Sequence, residues 1–126
     1  IRNMPLYDQS VRTTTEITIQ CVLGAGMCNK EFVAESMGVS ARKLVRLLSR
    51  EGTSFADLLD ETRKAMACRL LAQTGVPISS VAVLLEYSSP TALTPAMKRW
   101  TGMTPSEYRA NARIEIEGEP DPEAPG

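Results

Sequence analysis

Four bases, Arg42, Lys43, Arg46 and Arg50, fall within the short run SARKLVRLLSR. Arg42, Arg46 and Arg50 recur every four residues, so a helix would line them up along one face. Leu44, Leu47 and Leu48 take the opposite face, with Ala41 at its edge, and Val45 and Ser49 flank the basic side. A guanidinium carries a planar fork of donors that meets two acceptors at once, such as the paired acceptors on a guanine edge or two oxygens of a phosphate. Arg42 and Arg46, nearest the helix start, are placed to reach base edges in a major groove. Lys43 and Arg50, at the margin, suit phosphates, which give affinity and register without sequence preference. A basic face that only stays solvated, or that meets an acidic protein partner, has the same composition. This helix alone leaves both readings open.

A second run, PTALTPAMKRWT, divides in the same manner. Leu93, Ala96, Met97 and Trp100 face one way, and Thr91, Thr94, Pro95, Lys98 and Arg99 the other. Thr91 and Thr94 can bond to bases or touch a thymine methyl, while Lys98 and Arg99 suit phosphate. Trp100 reads as a core anchor rather than a stacking platform.

Other chemistry finds little support. The chain has no His, which removes the commonest general base and the commonest metal ligand. No phosphate-cradling glycine loop and no paired-acid constellation stands out. Cys21, Cys28 and Cys68 lack metal-site spacing and read as buried, reduced thiols of a cytoplasmic protein. No catalytic residue, metal or cofactor is expected, and nothing approaches the length of a membrane span.

The elements that must position the two basic faces can be read along the chain. Residues 1–10 form a linker or tail. From Val11 to Leu23 the residues are rich in Thr and Ile and alternate like a strand, but no second strand exists to pair with, so a helix ending near Gly24 is expected. Asn29 caps a short helix that stops at Met37-Gly38, and Ser40 caps the basic helix. Ser54 starts a long amphipathic helix to about Thr74, ended by Gly75 and Pro77. Leu58, Leu59 and Leu70 of this helix are expected to fix the spacing of what flanks it. A short helix over Ile78 to Leu85 follows, then Ser89-Pro90 opens the second run. Gly102 closes that run, and a last short helix is expected from Ser106 to about Ala112. Residues 113–126 read as a disordered acidic tail.

The tail hides the charge of the rest. Five of the 15 acids lie in residues 115–126 with no base, which leaves ten acids against all 14 Lys and Arg. A mildly basic folded unit is compatible with nucleic acid as partner.

An internal repeat joins the two runs. Val33-Ala34 matches Val81-Ala82, then Leu44 matches Leu93 and Leu48 matches Met97, with one extra residue in the second turn. Each copy is a short helix, a tight turn and a second helix, the layout of helix-turn-helix units. The first unit spans about residues 29–51 and the second about 78–101, with the 54–74 helix between them.

This ordered set resembles the C-terminal DNA-binding domain of AraC/XylS-type transcriptional regulators. The resemblance runs from about Thr15 to Arg109. It is strongest in VAESMGVSARKLVRLL, in RKAMACRLL, which carries Arg63, Ala67, Leu70 and Leu71, and in SSPTALTPAMKRWTGMTPSEYR. It implies an all-α fold of about seven helices, with two helix-turn-helix units joined by a long helix and both recognition helices in the major groove of one double-stranded DNA site. It puts base reading on Arg42, Val45 and Arg46 in the first unit and on Pro90, Thr91, Thr94 and Pro95 in the second. Ser40, Ser49 and Ser89 join Lys43, Arg50, Lys98 and Arg99 as expected phosphate contacts, and Arg63 is expected to brace the first unit. Such regulators act with RNA polymerase and usually carry an effector-binding or dimerisation domain ahead of this one. A start at Ile1 fits a truncation that removed it.

Two residues depart from the family pattern. Glu86 stands where the second turn usually has Gly, and a left-handed backbone there would cost a non-glycine residue about 1 kcal/mol. Pro95 stands on the second recognition helix where a long polar residue is common. It predicts a kink, or a helix that effectively begins near Thr94, and makes the first unit the dominant reader.

Overall fold

The computed structural model describes the backbone of residues 10–118 and the side chains of residues 10–113. The stretch with the strongest β-branched character is helical: α1 spans Val11–Val22. Its threonines turn their hydroxyls back onto the helix. Thr15 Oγ1 donates to the Val11 carbonyl at 2.7 Å and Thr18 Oγ1 to the Thr14 carbonyl at 2.8 Å. This back-bonding satisfies a hydroxyl without a second strand and lets Thr15 sit fully buried. Ser10 caps the helix start, and the Glu51 carboxylate accepts from the Val11 and Arg12 amides at 3.0 and 3.1 Å.

The remaining helices follow the expected punctuation. They are α2 Lys30–Ser36, α3 Ala41–Arg50, α4 Phe55–Gln73 and α5 Ile78–Leu84, then a 3-10 turn Pro90–Ala92, α6 Leu93–Thr101 and α7 Pro105–Gly118. Asn29, Ser40 and Ser54 each accept from the amide three residues on, at 2.8, 3.1 and 3.1 Å. Thr104 and Glu107 form a reciprocal capping box at the start of α7. Among the described residues there is no strand, and no helix is long and apolar enough to cross a membrane.

Two expectations need correction. α7 does not stop near Ala112 but runs to Gly118, so residues 113–118 are helical rather than part of a disordered tail. The sequence lacks any breaker until Gly118 and Pro120, and Glu has a high intrinsic helix propensity. The rest of the tail and positions 1–9 of the linker lie outside the described residues. The cysteines are free but none is buried: Cys21 is exposed, and Cys28 and Cys68 are half-buried. Cys21 falls on the solvent side of α1, opposite Ile19.

The interior is divided into two clusters joined by α4. Ile19, Val33, Ala34, Leu44, Leu48 and Leu58 form the first core. Leu23, Ala67, Leu71, Val81, Ala82, Leu85, Leu93 and Met97 form the second. Every pair of the internal repeat lands at a matching place in its own core, and all eight of those residues are fully buried. Leu59 and Cys28 border both clusters. α7 closes the second core against the end of α4. There Arg109 donates to the carbonyls of Leu71 at 3.0 Å and Leu70 at 3.4 Å at the end of α4, and to that of Val76 at 2.6 Å in the segment that follows.

Candidate nucleic-acid interface

α3 presents its bases as the spacing predicted. Leu44 and Leu48 are sealed in the first core, which fixes the rotation of the helix. Arg42, Lys43, Arg46 and Arg50 are all exposed. Among the described residues none of the four forms an ion pair. Val45 is 46% exposed between them. Ser49 is exposed, and Ser40 uses its hydroxyl oxygen to accept from the Lys43 amide.

The second unit is built differently. Pro95 does not interrupt an α-helix. Residues 90–92 wind as a 3-10 turn and the α-helix begins at Leu93. Pro95 therefore falls in the first turn of α6, where an amide would have no intrahelical partner in any case. The alternative of a shifted start is realised and no kink is needed. Ser89 does not cap the backbone. Its hydroxyl lies 3.0 Å from that of Thr91, so these two expected contacts are engaged with each other. Thr91 and Lys98 are exposed and Thr94 is half-buried.

Arg99 faces a protein partner. Its Nη1 and Nη2 donate to the two Asp60 oxygens at 2.9 Å each, and Trp100 Nε1 donates to Asp60 at 3.0 Å. This bidentate fork holds Asp60 below its ordinary carboxylate range, with the Trp100 bond adding to the effect and desolvation opposing it. Trp100 itself packs against the second core, as an anchor would.

The turn between α5 and the 3-10 segment carries the residue that sequence alone left as a defect. The two turns share one pattern. In the first, the Val39 amide bonds to the Ala34 carbonyl and the Gly38 amide to that of Glu35; in the second, Tyr87 bonds to Ala82 and Glu86 to Val83. Glu86 is thus the counterpart of Gly38, and its φ of +63° compares with +80° at the glycine. A side chain in this left-handed conformation costs about 1 kcal/mol. The carboxylate offsets that cost. Glu86 Oε2 accepts from the Gly24 amide at 2.7 Å and the Gly26 amide at 3.1 Å, and Oε1 from Cys28 at 3.0 Å. Hydrogen bonds to a charged group contribute about 1.5–3 kcal/mol each when shielded from water, and less at exposed positions.

Arg63 completes the turn. It donates Nε to the Leu85 carbonyl at 2.8 Å and Nη2 to the Glu86 carbonyl at 3.2 Å, and its guanidinium lies 4.4 Å from the Tyr87 ring centroid. It therefore braces the second unit, not the first as expected. Partial burial pushes the Cys28 thiol above its ordinary range, with Glu86 raising it further and Arg63 opposing. Asp60, Glu86 and Arg109 gave no periodic or motif signal as structural linkers. Only the odd residue type at the second turn could have flagged one of them.

The model of a family described as "Helix-turn-helix domain" matches residues 33–111, which is most of the chain. The chain belongs to the AraC-type helix-turn-helix family. It is 44% identical over 89 residues to the HTH-type transcriptional regulator VirS of Mycobacterium tuberculosis, covering 71% of this chain and 26% of VirS. The chain thus spans about a quarter of the length of that curated relative. A DNA-binding transcriptional dual regulator from Escherichia coli K-12 aligns with a TM-score of 0.78 and 27% identity, over 89% of this chain and 98% of that one. The DNA-binding domain of AdpA, solved in complex with a target DNA, aligns with a TM-score of 0.68 and 25% identity, over 84% and 98% of the two chains.

Proposed function

We propose that this chain is the sequence-specific DNA-binding domain of a cytoplasmic transcriptional regulator and performs no catalysis. The observation that carries the reading is α3, where four exposed bases without ion pairs surround an exposed Val45 on a helix rigidly seated by Leu44 and Leu48. Arg42 and Arg46 read base edges, Val45 meets a thymine methyl, and Lys43 and Arg50 hold phosphates, with Ser40 and Ser49 at the margins.

α6 is the weaker reader. Thr91 and Thr94 supply its base contacts and Lys98 its phosphate contact, with Ser89 beside them. Arg99 has its fork on Asp60, so its role is to seat α6 on α4 rather than to hold phosphate. α4 has 19 residues and a length of about 28 Å at ~1.5 Å per residue, near the ~34 Å between successive major-groove faces. One chain can thus present both helices to one side of a duplex. In the intact regulator an effector-binding or dimerisation domain precedes this one, and RNA polymerase is the protein partner.

Salt titration of binding to a duplex tests the reading. Lys43, Arg50 and Lys98 together predict a log–log slope of about −3 or steeper, since each neutralised phosphate contributes about −0.9. No measurable affinity at ~50 mM salt would instead favour a helical protein-interaction module whose basic face stays solvated.

A further inference from the structure

The two units are linked across the molecule by very little polar chemistry. Among the described residues, every hydrogen bond between residues 10–51 and residues 78–107 ends on the Glu86 carboxylate. Its three donors sit in the loop that leads from α1 into α2, the first helix of the first helix-turn-helix unit. The loop also lies close against the turn: a side chain at Gly24 would meet the Leu84 carbonyl at 3.2 Å. On the other side, Arg63 of α4 holds the Leu85 and Glu86 carbonyls. The turn of the second unit is therefore clamped to α4 through its backbone and hydrogen-bonded, through one side chain, to the loop that enters the first unit.

We infer that Glu86 is a positioning residue for operator choice: by locking the loop ahead of α2 to the turn ahead of α6, it fixes the angle between the two readers. The spacing between the two DNA segments the domain accepts is then a property of this carboxylate as well as of α4. Glycine would relax the turn, since it carries no side-chain cost at a φ of +63°. It would also remove the three hydrogen bonds that the turn offers the loop ahead of α2. A residue that costs backbone energy where the first unit uses Gly38 is explained by what its side chain reaches. This inference rests on the DNA-binding reading above and assigns the spacing preference within it.

Selection of bound sites from random duplex DNA, followed by sequencing, tests it on the wild-type chain and on Glu86→Gly and Glu86→Gln. The wild-type pool should contain two sequence blocks at one spacing, preferred about tenfold or more over spacings one base pair longer or shorter. Glu86→Gly should keep the same two blocks, with that preference cut to about threefold or less. Glu86→Gln should fall between them, since its single amide oxygen can still accept from Gly24 and Gly26 while the bond from Cys28 is lost. Thermal melts by circular dichroism confirm that each variant is folded. Should glycine fail to fold, the glutamine variant carries the test, and an unrelaxed spacing there overturns the inference. Glu86→Gly with the wild-type spacing preference overturns it as well, with the DNA-binding reading intact. A wild-type pool with one block only also overturns it, because no spacing is then set. A wild-type pool with no enriched block removes the DNA-binding reading itself.

Discussion

Arg46 and Arg50 stand one helical turn apart on α3 and share its exposed side, yet they are expected to act differently. Arg46 lies nearer the helix start, the end proposed to face base edges, while Arg50 lies in the last turn and is proposed to hold a phosphate. Arg46→Ala should reduce the discrimination between a selected site and a scrambled one, by about 1–3 kcal/mol if a bidentate guanine contact is lost. Arg50→Ala should weaken both sites about equally and lower the salt slope by about 1. Parallel binding curves on the two duplexes separate the outcomes, and the reverse pattern would exchange the two assignments. The exposed basic face of α3 was legible in the sequence, because a four-residue repeat of bases opposite three leucines has one helical solution. Arg99 was not. Its fork goes to Asp60, 39 positions earlier, and no local pattern announces a partner at that distance.

At the scale of elements, Asp60 joins α4 to α6, and its pH behaviour can be signed. Its folded-state carboxyl is held below the ordinary aspartate value of 3.8, first by the Arg99 hydrogen bonds. The stabilisation is therefore present above about pH 3.8 and is lost as the pH falls through the lower folded-state value. Asp60→Asn should melt at a lower temperature than wild type near neutral pH, and the gap should close as both are acidified below pH 3.8. Melting curves at a series of pH values check this, and a gap that stays constant would mean the clamp acts by packing alone. The helices themselves were largely legible, since caps such as Asn29, Ser40 and Ser54 punctuate each start. α1 needed an argument beyond propensity, because its threonines favour a strand until their hydroxyls find carbonyls one turn back. The end of α7 was not legible, because residues 113–117 carry neither a cap nor a breaker to mark it.

For the whole molecule, α4 contributes to both small cores, so the two should unfold as one cooperative unit. Leu58 belongs to the first and Leu71 to the second, and both are fully buried. Leu58→Ala and Leu71→Ala should each cost about 2–5 kcal/mol. Trp100 packs only against the second core, so its fluorescence distinguishes coupled from separate unfolding. In Leu58→Ala the Trp100 transition should shift together with the helical signal from circular dichroism. A Trp100 transition left at its wild-type midpoint would mean that the cores melt independently. The repeat made the two units visible in the sequence, but their polar connection was not, because it depends on Arg63 and Glu86 reaching backbone groups that no sequence pattern marks.

The Glu86 carboxylate also sets an order of events for a chain leaving the ribosome. Ile19, Val33, Leu44, Leu48 and Leu58 can close the first core once the opening turns of α4 have emerged. The amides of Gly24, Gly26 and Cys28 must wait longer, because their acceptor is made 58 to 62 positions later. During synthesis from the N-terminus the first reader thus takes shape before its connecting loop is pinned. Its final orientation is set only when the second turn arrives.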